Sequence, residues 1–203
     1  MLKFPQVAAT DRRVKAVLSQ APLVDGWANF HRLIRPDFIG GLNDTFAADR
    51  AARAAGKEPG RLPVVDENPL AASALPTPDS YEYFTTWGKK SPWKNDVTVR
   101  RYLCSSSRGD LMTWLTLSGS VEAFREYYPS AHIHRISPTP LLMTVANNDV
   151  LTPTDLAIEA FSRAREPKEL QILPGGHFEA YSGRNFEQNA GRQLEFLKKT
   201  LCA

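Results

Sequence analysis

The sequence predicts an α/β fold, in which the C-terminal strands of a parallel sheet carry flanking helices and a helical cap is inserted between two strands. Residues 141–146 form an apolar run of strand length that ends at a polar turn containing Asp149. Residues 170–173 form a second short strand, which ends at a Gly-Gly turn before His177. Residues 27–128 show helical spacing and many prolines instead of alternating strands and helices, which favours a cap.

The segment between the two strands has the length and the pattern of a connecting helix. Asp149 and His177 lie 28 residues apart, which accommodates one helix and one strand. Residues 155–164 are amphipathic, and Thr152 and Pro153 provide a cap and a proline at the start of this helix. The two turns therefore follow parallel strands and lie at the same edge of the sheet.

The two turns bring an acid and an imidazole to the edge where α/β sheets build their sites. A general-base histidine must be held in one tautomer, and a carboxylate bonded to its other ring nitrogen does this and stabilises the positive charge. Gly175 and Gly176 permit the sharp turn before His177. We therefore predict that Asp149 and His177 are catalytic. The alternatives are a solvated turn aspartate and an ordinary loop histidine.

Composition and charge exclude several functional classes. The chain has 203 residues, 42% hydrophobic and 23% charged, which suffices for one globular domain with a core. The net charge of +3 forms no basic stripe, so we expect no nucleic-acid partner. No apolar run reaches membrane-spanning length and no apolar leader is seen, so we expect neither a membrane partner nor secretion. Cys104 and Cys202 form no disulfide framework, which favours a cytoplasmic or other intracellular location.

The pattern divides the chain into a core, residues 1–26 and 129–203, and a helical cap, residues 27–128. The elements expected in the core, besides those above, are the end of a helix over residues 1–13, a strand over 14–20 and a closing helix over 186–201. An α/β chain does not usually begin inside a helix, so we expect that a segment is missing upstream.

Helical segments and aromatic residues characterise the predicted cap. We expect helices over residues 27–34, 46–56 and 81–88. Five aromatic residues are expected to form the core of the cap, with pocket lining as the alternative: Trp27, Phe30, Tyr83, Phe84 and Trp87.

Residues 101–119 interrupt the predicted cap, and their apolar residues show no clear helical or strand periodicity. Residues 97–100 joined directly to residues 120–127 would form one continuous amphipathic helix. We interpret residues 101–119 as an anomalous insertion, of the kind that an unspliced intron produces, and sequencing the transcript tests this interpretation.

Two alternating histidines, His132 and His134, have the spacing of a metal-binding pair. No third ligand stands near them in the sequence, so we favour a structural or exposed role and predict no metal site.

Several motifs together resemble the end of an α/β hydrolase. They are the strand 141–146, Asp149 with Pro153 four residues later, the run 168–178 that contains His177, and the C-terminal helix. The segments 11–16 and 130–140 resemble, more specifically, the fungal polyketide transferases and thiohydrolases of secondary-metabolite and toxin gene clusters. The resemblance covers nearly the whole chain apart from residues 101–119.

The resemblance implies an enzyme that attacks an ester or thioester of a polyketide-type acyl group, a small-molecule substrate. The acyl group is then released as an acid or passed to an acceptor. Asp149 matches the acid of this family and His177 matches its base. The resemblance implies no metal and no organic cofactor. It leaves open hydrolysis versus transfer, the acyl group and the oligomeric state.

The chain departs from the family in one essential feature, the nucleophile elbow G-x-S-x-G, which the sequence lacks. Ser19 follows a strand, but Val17 and Ala21 stand where the glycines are required. Ser105, Ser106 and Ser107 lie in the anomalous insertion. We therefore expect an N-terminally truncated hydrolase that is inactive alone. The alternative is an inactive hydrolase-like remnant that binds an apolar ligand or a partner.

Overall fold

The computed structural model describes residues 4–90, 94–98 and 121–202. The α-helices are α1 (Phe4–Thr10), α2 (Gly26–Leu33), α3 (Pro36–Ala54), α4 (Pro78–Gly88), α5 (Val121–Glu126), α6 (Thr154–Arg163) and α7 (Gly183–Leu201). The strands are β1 (Val17–Gln20), β2 (Arg61–Leu62), β3 (Val97–Thr98), β4 (Leu141–Ala146) and β5 (Lys168–Leu173). The 3₁₀-helices are η1 (Pro129–Arg135) and η2 (His177–Tyr181).

The described residues divide into two compact units. The core unit comprises those of Lys3–Asn29 and Tyr127–Ala203, and the helical unit comprises those of Phe30–Glu126.

A parallel sheet with strand order β1-β4-β5 is the centre of the core unit. Val17 pairs with Leu141 at one end of the β1–β4 ladder, and Leu141 pairs with Lys168 in the β4–β5 ladder. All six residues of β4 are buried, as expected for a central parallel strand covered on both faces. The predicted bounds of β4 are confirmed, whereas β5 begins two residues earlier than predicted and β1 three residues later.

Helices α1, α6 and η1 pack with the sheet around one apolar cluster. Its fully buried members include Ile133, Ile136, Leu141, Ala157 and Ala160. Burial of each large aliphatic side chain in such a cluster contributes about 1.5–3 kcal/mol. This cluster anchors β4, the strand that leads directly into the Asp149 turn.

A side-chain amide network connects the end of β1 to α7. The Gln20 Oε1 atom accepts hydrogen bonds from Asn189 Nδ2 at 2.7 Å and Gln193 Nε2 at 2.9 Å. Asn189 is 2% exposed, so its polar atoms need these partners. Helix α7, the predicted closing helix, begins at Gly183, three residues before the predicted start.

Helix α3 is the longest element of the helical unit and begins ten residues before the predicted residue 46. Pro36 occupies its first turn, where a missing backbone N–H costs nothing. Phe30 and Phe46 are fully buried together, and the Arg125 guanidinium lies over both rings, 5.0 and 4.7 Å from their centres.

The middle of the chain contains a short strand, and its aromatic residues differ from the predicted core. Val97 and Thr98 form strand β3, antiparallel to β2, in the chain that includes residues 101–119. This is consistent with the preference of β-branched residues for strands. Trp27 is 60% exposed and Trp87 is 41% exposed, so neither belongs to a buried aromatic core. The proposed insertion, residues 101–119, lies outside the described residues.

Within the described residues, no helix combines the length and the apolar character that crossing a membrane requires.

Candidate active site

The turns after β4 and β5 are bonded to each other, which brings the two predicted site residues together. The Asn147 backbone N–H donates to Leu173 O at 2.8 Å, and the Asn148 N–H donates to Gly175 O at 3.0 Å. The Asn147 Oδ1 atom accepts a hydrogen bond from Gly175 N at 2.9 Å. These bonds extend the β4–β5 pairing beyond the strand ends and fix the position of one turn against the other.

Asp149 and His177 form a close hydrogen-bonded pair. His177 Nδ1 lies 2.8 Å from Asp149 Oδ2, and the two side chains are 12% and 2% exposed. A carboxylate can only accept, so Nδ1 carries the hydrogen and donates it. In the neutral ring, Nε2 is therefore left with a lone pair that can take up a proton.

The carboxylate of Asp149 is held by three further donors from its own loop. Oδ1 accepts the backbone N–H groups of Leu151 at 2.9 Å and Thr152 at 2.7 Å. Oδ2 accepts the Thr152 hydroxyl at 2.9 Å. These contacts fix the rotamer of the carboxylate and stabilise its charge in a buried place.

The loop that carries Asp149 is tied to the sheet by Thr154. The Thr154 hydroxyl donates to Ala146 O at 2.6 Å and accepts the Asp149 N–H at 3.2 Å. Helix α6 begins at Thr154, after Pro153, and has no side-chain cap. The predicted capping role of Thr152 is therefore wrong, because its hydroxyl bonds the Asp149 carboxylate instead.

The backbone conformation of the turn before His177 requires glycine at position 175 and not at position 176. Gly175 has φ +101°, and the Glu179 carboxylate occupies the space where a Cβ would stand. Gly176, with φ −90° and ψ −174°, has a backbone that any residue adopts. The prediction of a glycine-dependent turn is thus confirmed at Gly175 only.

Aromatic rings fix the imidazole from the side. His177 opens η2 rather than an open loop, and the ring of Phe178 meets it edge-on with centres 4.8 Å apart. The ring of Tyr181 lies 5.9 Å away. The imidazole therefore has a carboxylate at one nitrogen and apolar contacts beside it.

Nε2 of His177 has no hydrogen-bond partner among the described residues. Ser19 lies inside β1, in register with Met143, and lines a small cavity of the core unit. It is therefore not on a strand-to-helix turn, where a nucleophile elbow would place it. The other serines considered, at positions 105–107, lie outside the described residues.

In the described part of the chain, no group of three His, Cys, Asp or Glu side chains could hold a metal ion. His132 and His134 both lie in η1.

Comparisons of sequence support the family resemblance. No family model matches the chain. The chain is 32% identical over 203 residues to polyketide transferase grgF from Penicillium sp., covering 96% of this chain and 58% of that protein. It is 31% identical to a polyketide transferase from Gibberella fujikuroi, covering 94% of this chain and 51% of that protein. Thiohydrolase aneE from Aspergillus aculeatus is 23% identical, and the alignment covers 96% of this chain and 57% of that protein. The chain thus spans between half and three fifths of the length of these relatives.

Comparisons of structure identify the same fold. The crystal structure of the α/β hydrolase GrgF from Penicillium sp. matches 98% of this chain and 60% of its own, with a TM-score of 0.69 and 28% identity. The structure of DcsB in complex with its substrate analogue also gives a TM-score of 0.69, at 18% identity. The match covers 98% of this chain and 61% of the DcsB chain. The α/β-hydrolase fold and the similarity to fungal polyketide transferases and thiohydrolases, both predicted from the sequence, are confirmed.

Proposed function

We propose that this chain, an α/β hydrolase by fold, contributes an acid and a base to an acyl-transfer site. His177 is the general base, Asp149 is the residue that orients it, and the substrate is an ester or thioester of a polyketide-type acyl group. The observation that carries the proposal is the 2.8 Å bond between His177 Nδ1 and buried Asp149 Oδ2, with Nε2 left as an acceptor.

The proposed chemistry is nucleophilic acyl transfer. Nε2 of His177 takes the proton of a hydroxyl nucleophile as the oxygen attacks the acyl carbonyl, and Asp149 stabilises the imidazolium. The tetrahedral intermediate then expels the alcohol or thiol, which receives that proton from Nε2. The 203-residue sequence contains no G-x-S-x-G motif, so the hydroxyl itself is not assigned to a residue of this chain.

The names of the relatives support an acyl substrate and define two outcomes. Those relatives are named as polyketide transferases and as a thiohydrolase. An acyl-enzyme attacked by water gives an acid, and one attacked by another hydroxyl or amine gives a transfer product. The balance between them depends on how well the site excludes water. As part of the same proposal, residues 27–128 form the cap and residues 1–26 and 129–203 the core.

A kinetic comparison tests the proposal. The protein encoded by the sequenced full-length transcript is assayed for release of acyl groups from acyl-N-acetylcysteamine thioesters, as wild type and as His177→Gln. We expect kcat to fall by about 10⁴-fold in the variant, because loss of a correctly held base has effects of this size in triads. The matched control is His132→Gln, which changes a histidine of η1, outside the turns that carry Asp149 and His177.

Equal turnover by wild type and His177→Gln would contradict the proposal. A parallel fall in both variants would indicate general damage to the fold, which circular dichroism and thermal unfolding measure independently.

A second candidate function is binding without turnover. The absence of a G-x-S-x-G motif from the 203 residues favours it. In this case the protein would bind an apolar acyl ligand or a partner and release no product. Isothermal titration with a non-hydrolysable acyl amide, together with the thioester assay, separates the two functions, since only the enzyme shows turnover that depends on His177.

A further inference from the structure

Thr152 contacts both members of the candidate site. Its Oγ1 atom lies 2.9 Å from Asp149 Oδ2 and 3.1 Å from His177 Nδ1. A third, longer contact of 3.4 Å reaches the carbonyl oxygen of Ala21, the first residue after β1. The hydroxyl is thus placed at the junction of the acid, the imidazole and the end of a neighbouring strand.

The distribution of protons in this group follows from the number of donors. The hydroxyl has one proton, and both Asp149 Oδ2 and Ala21 O can only accept it. The shorter contact, to Oδ2, is the stronger bond. Once the hydroxyl donates to the carboxylate, its lone pairs face His177 Nδ1, so Nδ1–H is shared between the carboxylate and the hydroxyl oxygen.

The opposite tautomer cannot satisfy this arrangement. With hydrogen on Nε2, the Nδ1 lone pair would face the Asp149 carboxylate oxygen at 2.8 Å, acceptor against acceptor. The single Thr152 proton could satisfy one of these two acceptors and not both. The carboxylate alone therefore fixes the hydrogen on Nδ1, and the hydroxyl, which donates to the same Oδ2 atom, holds that carboxylate oxygen in place.

We propose that Thr152 is a positioning residue, whose hydroxyl holds Asp149 Oδ2 against His177 Nδ1 and so maintains the bond between them. Its relevance to catalysis rests on the proposed function, while this bond is a property of the folded chain. The backbone N–H of Thr152, which also bonds Asp149, persists in any side-chain variant except proline. Substitution therefore separates the hydroxyl from the rest of the turn.

The test compares Thr152→Val, which has nearly the same shape without the hydroxyl, with Thr152→Ser, which keeps the hydroxyl. The protein expressed from the sequenced transcript is labelled with ¹⁵N-histidine, and the His177 resonances are assigned with His177→Gln. We expect a low-field Nδ1–H proton that is protected from exchange with solvent in wild type and Thr152→Ser. In Thr152→Val, we expect this proton to move upfield and to exchange faster, because Oδ2 is no longer held against Nδ1.

Thr154→Val is the matched control, because it deletes a hydroxyl two residues away that bonds only backbone groups. It should lower stability and leave the Nδ1–H proton of His177 unchanged. A wild-type chemical shift and exchange rate of this proton in folded Thr152→Val would overturn the proposal, and so would loss of the signal in folded Thr152→Ser.

Kinetics provide the link to catalysis. Thr152→Val should lower kcat about tenfold with little change in KM, the factor expected for loss of one such hydrogen bond, and Thr152→Ser should restore most of the rate. If the protein shows no turnover that depends on His177, the proposed function fails, while the Nδ1–H measurement still decides the role of Thr152.

Discussion

At the residue scale, the Asp149 carboxylate is organised by its immediate neighbours in sequence. Three of its four donors come from Leu151 and Thr152, and the fourth is His177. The sequence predicts Asp149 and His177 because a strand followed by a polar turn is a local pattern. It does not predict the role of the Thr152 hydroxyl, because its contact with the His177 ring joins residues 25 positions apart in the sequence. An aspartate three residues before a threonine is a local signal for such a turn.

Ser130 is a buried polar residue whose hydroxyl has no hydrogen-bond partner in the described chain. It is 3% exposed and lines a small cavity of about 10 Å³ together with apolar side chains such as Ile133 and Met143. An unsatisfied buried hydroxyl costs about 1–3 kcal/mol. We therefore predict that Ser130→Ala raises the free energy of unfolding by about 1 kcal/mol, as measured by urea denaturation.

The control for Ser130→Ala removes a buried hydroxyl that is bonded. Thr144 is 2% exposed and its hydroxyl donates to Gln171 Oε1 at 3.1 Å. Thr144→Val should lower the free energy of unfolding by about 1 kcal/mol. A loss of stability in Ser130→Ala would contradict the prediction and indicate that a water molecule bonds Ser130 in the cavity.

At the scale of elements, the turn between β5 and η2 depends on one backbone conformation. Gly175 has φ +101°, a conformation that costs an L-amino acid about 1–3 kcal/mol, and the Glu179 carboxylate fills the space of a Cβ. We predict that Gly175→Ala lowers the free energy of unfolding by about 2 kcal/mol and displaces His177, with loss of its Nδ1–H resonance.

The matched control for this turn is the same substitution in a helix. Gly191 lies in α7, and no atom lies within 4 Å of the position that its Cβ would take. Gly191→Ala should raise the free energy of unfolding by about 0.5–1 kcal/mol. Equal stability of the two variants would show that the Gly175 turn has no special conformation.

The elements differ in how far the sequence predicts them, and the reasons are physical. The bounds of β4 follow from six consecutive buried residues between polar turns. The first half of α3 is not predicted, because Gly40, Gly41 and Asn43 are weak helix formers that the surrounding helix overrides. The short strand β3 is stabilised by pairing with β2, a contact that residue patterns within one segment do not reveal.

At the scale of the whole molecule, the described sheet has strand β1 at one edge. Among the described residues β1 pairs with β4 alone, so its other side presents unpaired backbone groups. We predict that the 203-residue chain expressed alone associates in a concentration-dependent way, as measured by sedimentation velocity over a range of concentrations. A monodisperse monomer with one cooperative thermal transition would contradict this prediction.

The proposed acyl-transfer function requires a hydroxyl nucleophile beside the Asp149–His177 pair, and the 203 residues contain no G-x-S-x-G motif. Sequencing the full-length transcript, upstream of the Met1 codon and across codons 101–119, decides whether the gene encodes such a motif. We expect an in-frame G-x-S-x-G segment, after which His177→Gln becomes the decisive variant. A message that encodes the 203 residues as printed, without such a segment, would contradict the catalytic claim and favour a binding protein.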